Sequence, residues 1–175
     1  MQDRAIESAC ILVVDDEESV LSLVRDIMVH DGYEVFTASS VTQAMRIARR
    51  ASPDLVITDL VMPQGSGYDL IAALYKHPKT YATPILALTA DGELVLSRFG
   101  DDRGLFSLSS NIAAYIAKPF SAMELRTTVL AILHAAHMGR FHPGEPYHKA
   151  FGRPMRPPRE RRFPAPPKRQ GGDER

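Results

Sequence analysis

The sequence predicts an α/β protein, a doubly wound sheet of five parallel strands covered by helices. Three observations carry that reading. Short continuous apolar runs recur at Ile11-Leu12-Val13-Val14, Leu55-Val56-Ile57-Thr58, Ile85-Leu86-Ala87-Leu88 and Ala113-Ala114-Tyr115-Ile116-Ala117. Runs of this kind make strands buried on both faces, as in a parallel sheet under helices. Between them the apolar spacing becomes helical, and alternating strands and helices wind with right-handed crossovers. Each run also ends in polar groups, at Asp15-Asp16, Asp59, Thr89 and Lys118-Pro119. In open sheets of this type, ligand-binding groups collect at the carboxyl ends of the strands.

The elements follow in order. After Asp15-Asp16, Val20, Val24, Ile27 and Met28 repeat at helical intervals, and Gly32 supplies the stop. Asp16 is placed to cap this helix, with Glu17 and Glu18 in its first turn, where acids complement the helix dipole. Glu34-Val35-Phe36-Thr37-Ala38 alternates more than the other runs, which fits a sheet edge. Ser40-Val41-Thr42-Gln43 has the form of a capping box and opens a helix carrying Val41, Ala44, Ile47 and Ala48. Ser52-Pro53 breaks that helix before the third strand. A loop, Met62-Pro63-Gln64-Gly65-Ser66-Gly67, precedes a third helix with Leu70, Ile71 and Leu74, ending before Pro78. A short fourth helix is expected over 93–98, followed by irregular chain, because Gly100, Asp101-Asp102, Arg103-Gly104 and Ser107 interrupt the pattern. The fifth helix is the clearest. It opens on a second capping box, Ser121-Ala122-Met123-Glu124, and carries Leu125, Val129, Ile132 and Ala136 as one stripe.

The formal net charge of zero conceals a division. Residues 1–138 hold 11 Lys and Arg against 17 Asp and Glu, whereas residues 139–175 hold 10 against 4. The same final segment contains 8 of the 13 prolines and shows no apolar periodicity. Such a composition cannot bury enough surface to offset its ordering entropy, so 139–175 is expected to be a disordered basic tail after a domain spanning 9–138. The tail is too short and Pro-rich for a helix-turn-helix unit, so specific nucleic-acid recognition is not expected. Two readings of the tail stay open: a solvated, functionally inert extension, or a basic segment drawn in a salt-sensitive way to an acidic partner, to the domain's own acidic surface or nonspecifically to nucleic acid. The one cysteine, Cys10, excludes a disulfide framework within the chain and reads as a small core residue. No apolar run approaches the roughly 20 residues of a membrane span. The N-terminus, with Asp3 and Glu7 around Arg4, lacks the layout of a signal peptide, and a cytoplasmic protein is expected.

Three acids, a hydroxyl and an amine at one sheet edge suit a divalent cation and a phosphoryl group. The chain has no Gly-rich Walker loop, and no acid two residues after Asp59, which counts against a small-molecule phosphatase or phosphotransferase. Val13-Val14-Asp15-Asp16, Thr58-Asp59-Leu60-Val61-Met62-Pro63, Leu88-Thr89-Ala90, and Tyr115 with Lys118-Pro119-Phe120 together resemble the CheY-like receiver domain of two-component response regulators, over residues 9–137. The resemblance implies strand order 2-1-3-4-5. It also implies a single-domain response regulator that accepts a phosphoryl group on Asp59 from a histidine kinase or histidine phosphotransfer protein, without turning over a separate substrate. Mg²⁺ would be held by Asp15, Asp16, Asp59 and the backbone carbonyl of Val61, with Asp16 in the more direct contact. Lys118 and Thr89 would act on the phosphoryl oxygens, Thr89 and Tyr115 would form the switch, and Lys118-Pro119 would be a cis peptide.

The residues themselves admit plainer roles. Asp16 also reads as a helix cap, Thr89 as a strand-end turn residue and Tyr115 as a core aromatic. His134 and His137, one turn apart without acids nearby, read as surface or core residues and not as metal ligands. The chain departs from the family between Thr89 and Lys118, whose separation of 29 residues is roughly seven more than usual. Asn111 also stands where a glycine is common. The inserted material, around 98–110, falls on the face of the fourth helix, fifth strand and fifth helix, which is the family's output surface. A phosphorylation-dependent homodimer is among the partners the resemblance implies, but the insertion counts against the family's standard dimer contact and standard partner choice, and leaves the acceptor chemistry intact. The competing reading is a phosphorylation-independent interaction module acting through 98–110 or the tail.

Overall fold

The computed structural model describes residues 8–62, 66–90 and 111–141. Five strands, β1 (Cys10–Val14), β2 (Glu34–Ala38), β3 (Leu55–Asp59), β4 (Ile85–Thr89) and β5 (Ile112–Ala117), form one parallel sheet in the order β2-β1-β3-β4-β5. The described helices are α1 (Glu18–His30), α2 (Val41–Ala51), α3 (Gly67–Lys76) and α4 (Ala122–His137). The helix expected over 93–98, the inserted stretch 98–110 and, of the tail expected over 139–175, residues 142–175 lie outside the described residues. Accordingly, α4 is the helix expected from the sequence as the fifth.

The continuous apolar runs are explained by what lies on each side of the sheet. Ile11 and Val13 of β1, Leu55 and Ile57 of β3, and Leu86 and Leu88 of β4 face one core, closed by Leu21, Val24 and Met28 of α1 and Leu125, Val129 and Ile132 of α4. The alternate residues Leu12, Val14, Val56, Ile85 and Ala87 face a second core under Ala44, Met45 and Ala48 of α2 and Leu70, Ile71 and Leu74 of α3. Burial of each large aliphatic side chain contributes about 1.5–3 kcal/mol, and both faces of the central strands gain it. Strand β2 has a single neighbour, and its residues Glu34 to Thr37 are exposed or half-buried, which accounts for its alternation.

Helix ends depart from the sequence reading in instructive ways. Asp16 does not cap α1. Glu17 holds the N-cap position, and it is Asp15 whose Oδ1 accepts from the Glu17 N–H at 2.9 Å, since a short carboxylate reaches the amide two residues on. Ser40 accepts from the Gln43 N–H as expected, but Gln43 Oε1 accepts from Ser39 N–H at 3.1 Å, one residue upstream of the expected reciprocal bond. A complete capping box is instead found at Ser66 and Asp69, where the sequence predicts only a loop leading into the helix. On α4, Ala136 is half-buried while Leu133 and Ala135 are buried, so the inward stripe lies slightly around the helix from the expected one. Gly32 (φ 92°) stops α1 as expected: its N–H donates to Val29 O, and that of Tyr33 to Met28 O.

Candidate acidic site at the carboxyl edge of the sheet

The ends of β1 and β3 place two carboxylates, and the segment after β5 brings an ammonium to both. Asp15 follows β1 directly and is held by its N–H donating to Ala38 O of β2 at 3.2 Å. Asp59 is the last residue of β3, and its Oδ1 accepts from the Val61 N–H at 2.8 Å. Lys118 lies just beyond β5 at a cis Lys118-Pro119 peptide, as the resemblance implied. Its N–H donates to Thr89 O at 2.7 Å, which carries the β4–β5 pairing one step further. Lys118 Nζ donates to Asp15 Oδ2 at 2.8 Å and to Asp59 Oδ2 at 2.6 Å.

Burial sets the electrostatics. Asp15 is fully buried and Asp59 nearly so, whereas Asp16 is exposed at the rim. Carboxylate oxygens of Asp15, Asp16 and Asp59 lie within 4.8 Å of one another, so acids outnumber the single bridging ammonium. Burial pulls the Lys118 ammonium toward deprotonation, but its hydrogen bonds to Asp15 and Asp59 and their charges outweigh this and hold its pKa above the ordinary 10.5. The donor set is all oxygen, two members are fixed by backbone contacts, and one faces solvent. That chemistry fits a hard divalent cation such as Mg²⁺ that keeps part of its water shell.

The remaining residues singled out by the sequence fall around this cluster. Val61 is well exposed and is tied to the site through its N–H, a contact the sequence did not suggest. Thr89 is buried at the end of β4, opposite Ala117. Tyr115 is half-buried on β5 and packs against the core on the α2 and α3 side. Two further residues support Asp59. The Thr58 hydroxyl donates to Asp59 O at 2.9 Å, and Gly67 packs directly against that same carbonyl. Among the described residues, no helix is long and apolar enough to cross a membrane.

Residues 11–130 match the family model of the response regulator receiver domain. The chain belongs to the response regulator receiver domain family, a phosphoacceptor module of two-component signal transduction. It is 37% identical over 126 residues to the probable transcriptional regulator ycf27 of Porphyra purpurea, covering 72% of this chain and 48% of that protein. It is 34% identical over 128 residues to the alkaline phosphatase synthesis transcriptional regulatory protein PhoP of Bacillus subtilis, covering 73% and 50%. The chain thus spans about half the length of the curated relatives it matches. Among solved structures, the receiver domain of the sensor histidine kinase PA1611 from Pseudomonas aeruginosa, which has a magnesium ion coordinated in its active-site cleft, superposes with a TM-score of 0.61 at 26% identity. That match covers 73% of this chain and 98% of the other.

Proposed function

We propose that this chain accepts a phosphoryl group on Asp59 from a phosphohistidine of a histidine kinase or histidine phosphotransfer protein. The observation that carries the reading is Lys118 Nζ bridging Asp59 and Asp15 inside an acidic cluster. A carboxylate oxygen of Asp59 attacks phosphorus, the P–N bond breaks, and its electron pair returns to the imidazole nitrogen. The product is an acyl phosphate. Lys118 is placed to follow the phosphoryl oxygens as a compact cation and to offset charge that develops there. Asp15, Asp16 and Asp59, with the backbone carbonyl of Val61, would hold Mg²⁺, whose charge relieves repulsion between the carboxylate and the incoming phosphoryl anion. The Thr89 hydroxyl then bonds the phosphoryl group, and Tyr115 turns further inward as Thr89 moves. Output passes through the face of the expected fourth helix, β5 and α4, altered by the inserted stretch 98–110, in the cytoplasm, and the basic segment 139–175 contributes by charge.

Incubation with acetyl phosphate and Mg²⁺, followed by intact-mass measurement, tests the reading. Wild-type protein should gain one phosphate, and Asp59→Asn none. An unchanged wild-type mass, or equal labelling of the variant, would contradict it.

A further inference from the structure

We propose that Gly67 and the first turn of α3 form a positioning device for the acidic site, so that Mg²⁺ affinity depends on a residue that touches no ligand. The inference rests on the Mg²⁺-assisted reading given above.

Gly67 is a glycine because of contact, not because of backbone freedom. Its φ is not in the positive range, unlike those of Gly32 (92°) and Gly139 (64°). An L-residue is therefore compatible with its backbone conformation. What excludes a side chain is space: a Cβ at Gly67 would lie 2.0 Å from Asp59 O, 2.9 Å from Leu60 Cα and 3.0 Å from Asp59 C. All three are backbone atoms that cannot rotate aside. An ordinary van der Waals contact begins near 3.4 Å, so either α3 or the 59–60 backbone must give way.

Three features direct that movement into the site. First, α3 is anchored behind Gly67 by Leu70, Ile71 and Leu74, all buried in the core, and is fixed at its start by the reciprocal Ser66–Asp69 box. Second, the Gly67 N–H donates to Leu60 O at 3.1 Å, while the Leu60 N–H donates to Leu88 O of β4 at 3.1 Å, so the start of α3 and the end of β3 share one hydrogen-bonded path. Third, the segment that would move carries the Asp59 carboxylate and the Val61 amide bonded to it. Displacements of about an ångström at a site of this kind can cost as much as a hundred-fold in function even when the altered residue is remote from the chemistry.

The experiment uses the full chain and Mg²⁺ itself, with affinity measured by calorimetry and stability by urea denaturation. Gly67→Ala should lower Mg²⁺ affinity about ten-fold or more while far-UV circular dichroism stays that of the folded protein. Gly139→Ala is the control. Its φ of 64° makes alanine costly, but open space surrounds it and it lies past the far end of α4. That variant should lose stability and keep wild-type Mg²⁺ affinity, which separates positioning from general loosening. Ser66→Ala, which removes the box and adds no bulk, should weaken Mg²⁺ about three-fold and serves if Gly67→Ala does not fold. A folded Gly67→Ala that binds Mg²⁺ like wild type, or Ser66→Ala doing so where the first variant is unfolded, overturns the proposal. So does an equal loss of affinity in Gly139→Ala. Failure of the wild-type chain to bind Mg²⁺ at all would instead remove the reading of the site on which the proposal rests.

Discussion

Lys118 Nζ lies 2.6 Å from Asp59 Oδ2, although the two residues belong to the ends of β5 and β3 and β4 runs between them. The same nitrogen reaches Asp15 Oδ2 at 2.8 Å, so one ammonium joins groups delivered by three strands. A lysine drawn across the sheet edge in this way neutralises part of an acid cluster that would otherwise repel itself.

Removing that ammonium should be costly in two separate measurements. Lys118→Met leaves the buried Asp15 and Asp59 carboxylates without their cation, and the expected loss is about 2–4 kcal/mol in urea denaturation without Mg²⁺. Added Mg²⁺ should restore part of it by binding the native state. Labelling by acetyl phosphate should slow about a hundred-fold, the scale of losing one preorganised donor to a developing charge.

The pH dependence follows from the raised pKa of Lys118. The native state holds this proton more tightly than the unfolded chain does. The pair's contribution is therefore complete below the ordinary value of 10.5 and is lost as pH rises through the higher native value. Tyr33, raised by burial and then by Asp31, contributes in the same direction. Denaturation midpoints should fall with pH in this alkaline range without Mg²⁺, and the fall should be shallower in Lys118→Met, where only the Tyr33 part remains.

Asp15 and Asp16 are adjacent in sequence but unequal in the fold. Asp16 is exposed and its carboxylate completes the acid cluster, so Asp16→Asn should weaken Mg²⁺ about ten-fold. Metal-free stability should stay at the wild-type value. A titration followed by calorimetry, paired with denaturation in EDTA, measures both.

Asn111 has a structural role of its own. It is buried, its side-chain amide donates to the carbonyls of Thr80 and Thr83, and its backbone carbonyl accepts from the Ile85 N–H at 2.8 Å. It therefore ties the start of β5 to the segment between α3 and β4. Asn111→Gly should cost about 2 kcal/mol in urea denaturation, because two buried carbonyls lose a donor and a void opens.

Some parts of the molecule are legible in its sequence and others are not. The strands were legible because burial on both faces leaves an unbroken apolar run, as at Ile11 to Val14. The cluster was legible because Asp15, Asp16, Asp59 and Lys118 each stand at the end of such a run. The choice between Asp15 and Asp16 for the first turn of α1 was not, since it depends on how the chain turns after β1. Nor was the Ser66–Asp69 box, because Gly65, Ser66 and Gly67 read first as loop breakers. Gly67 against Asp59 O and Asn111 against Thr80 and Thr83 are contacts between separate elements, and no local pattern records them.

The central claim is that the acceptor is Asp59 itself, and chemical trapping tests this most directly. Borohydride reduces an acyl phosphate to an alcohol with loss of phosphate, so a phosphorylated aspartate becomes homoserine. After incubation with acetyl phosphate and Mg²⁺, then borohydride and proteolysis, peptide sequencing by mass spectrometry should place homoserine at position 59. It should be absent when EDTA replaces Mg²⁺. Homoserine at another acid, or none at position 59 in protein that has gained phosphate, would contradict the account.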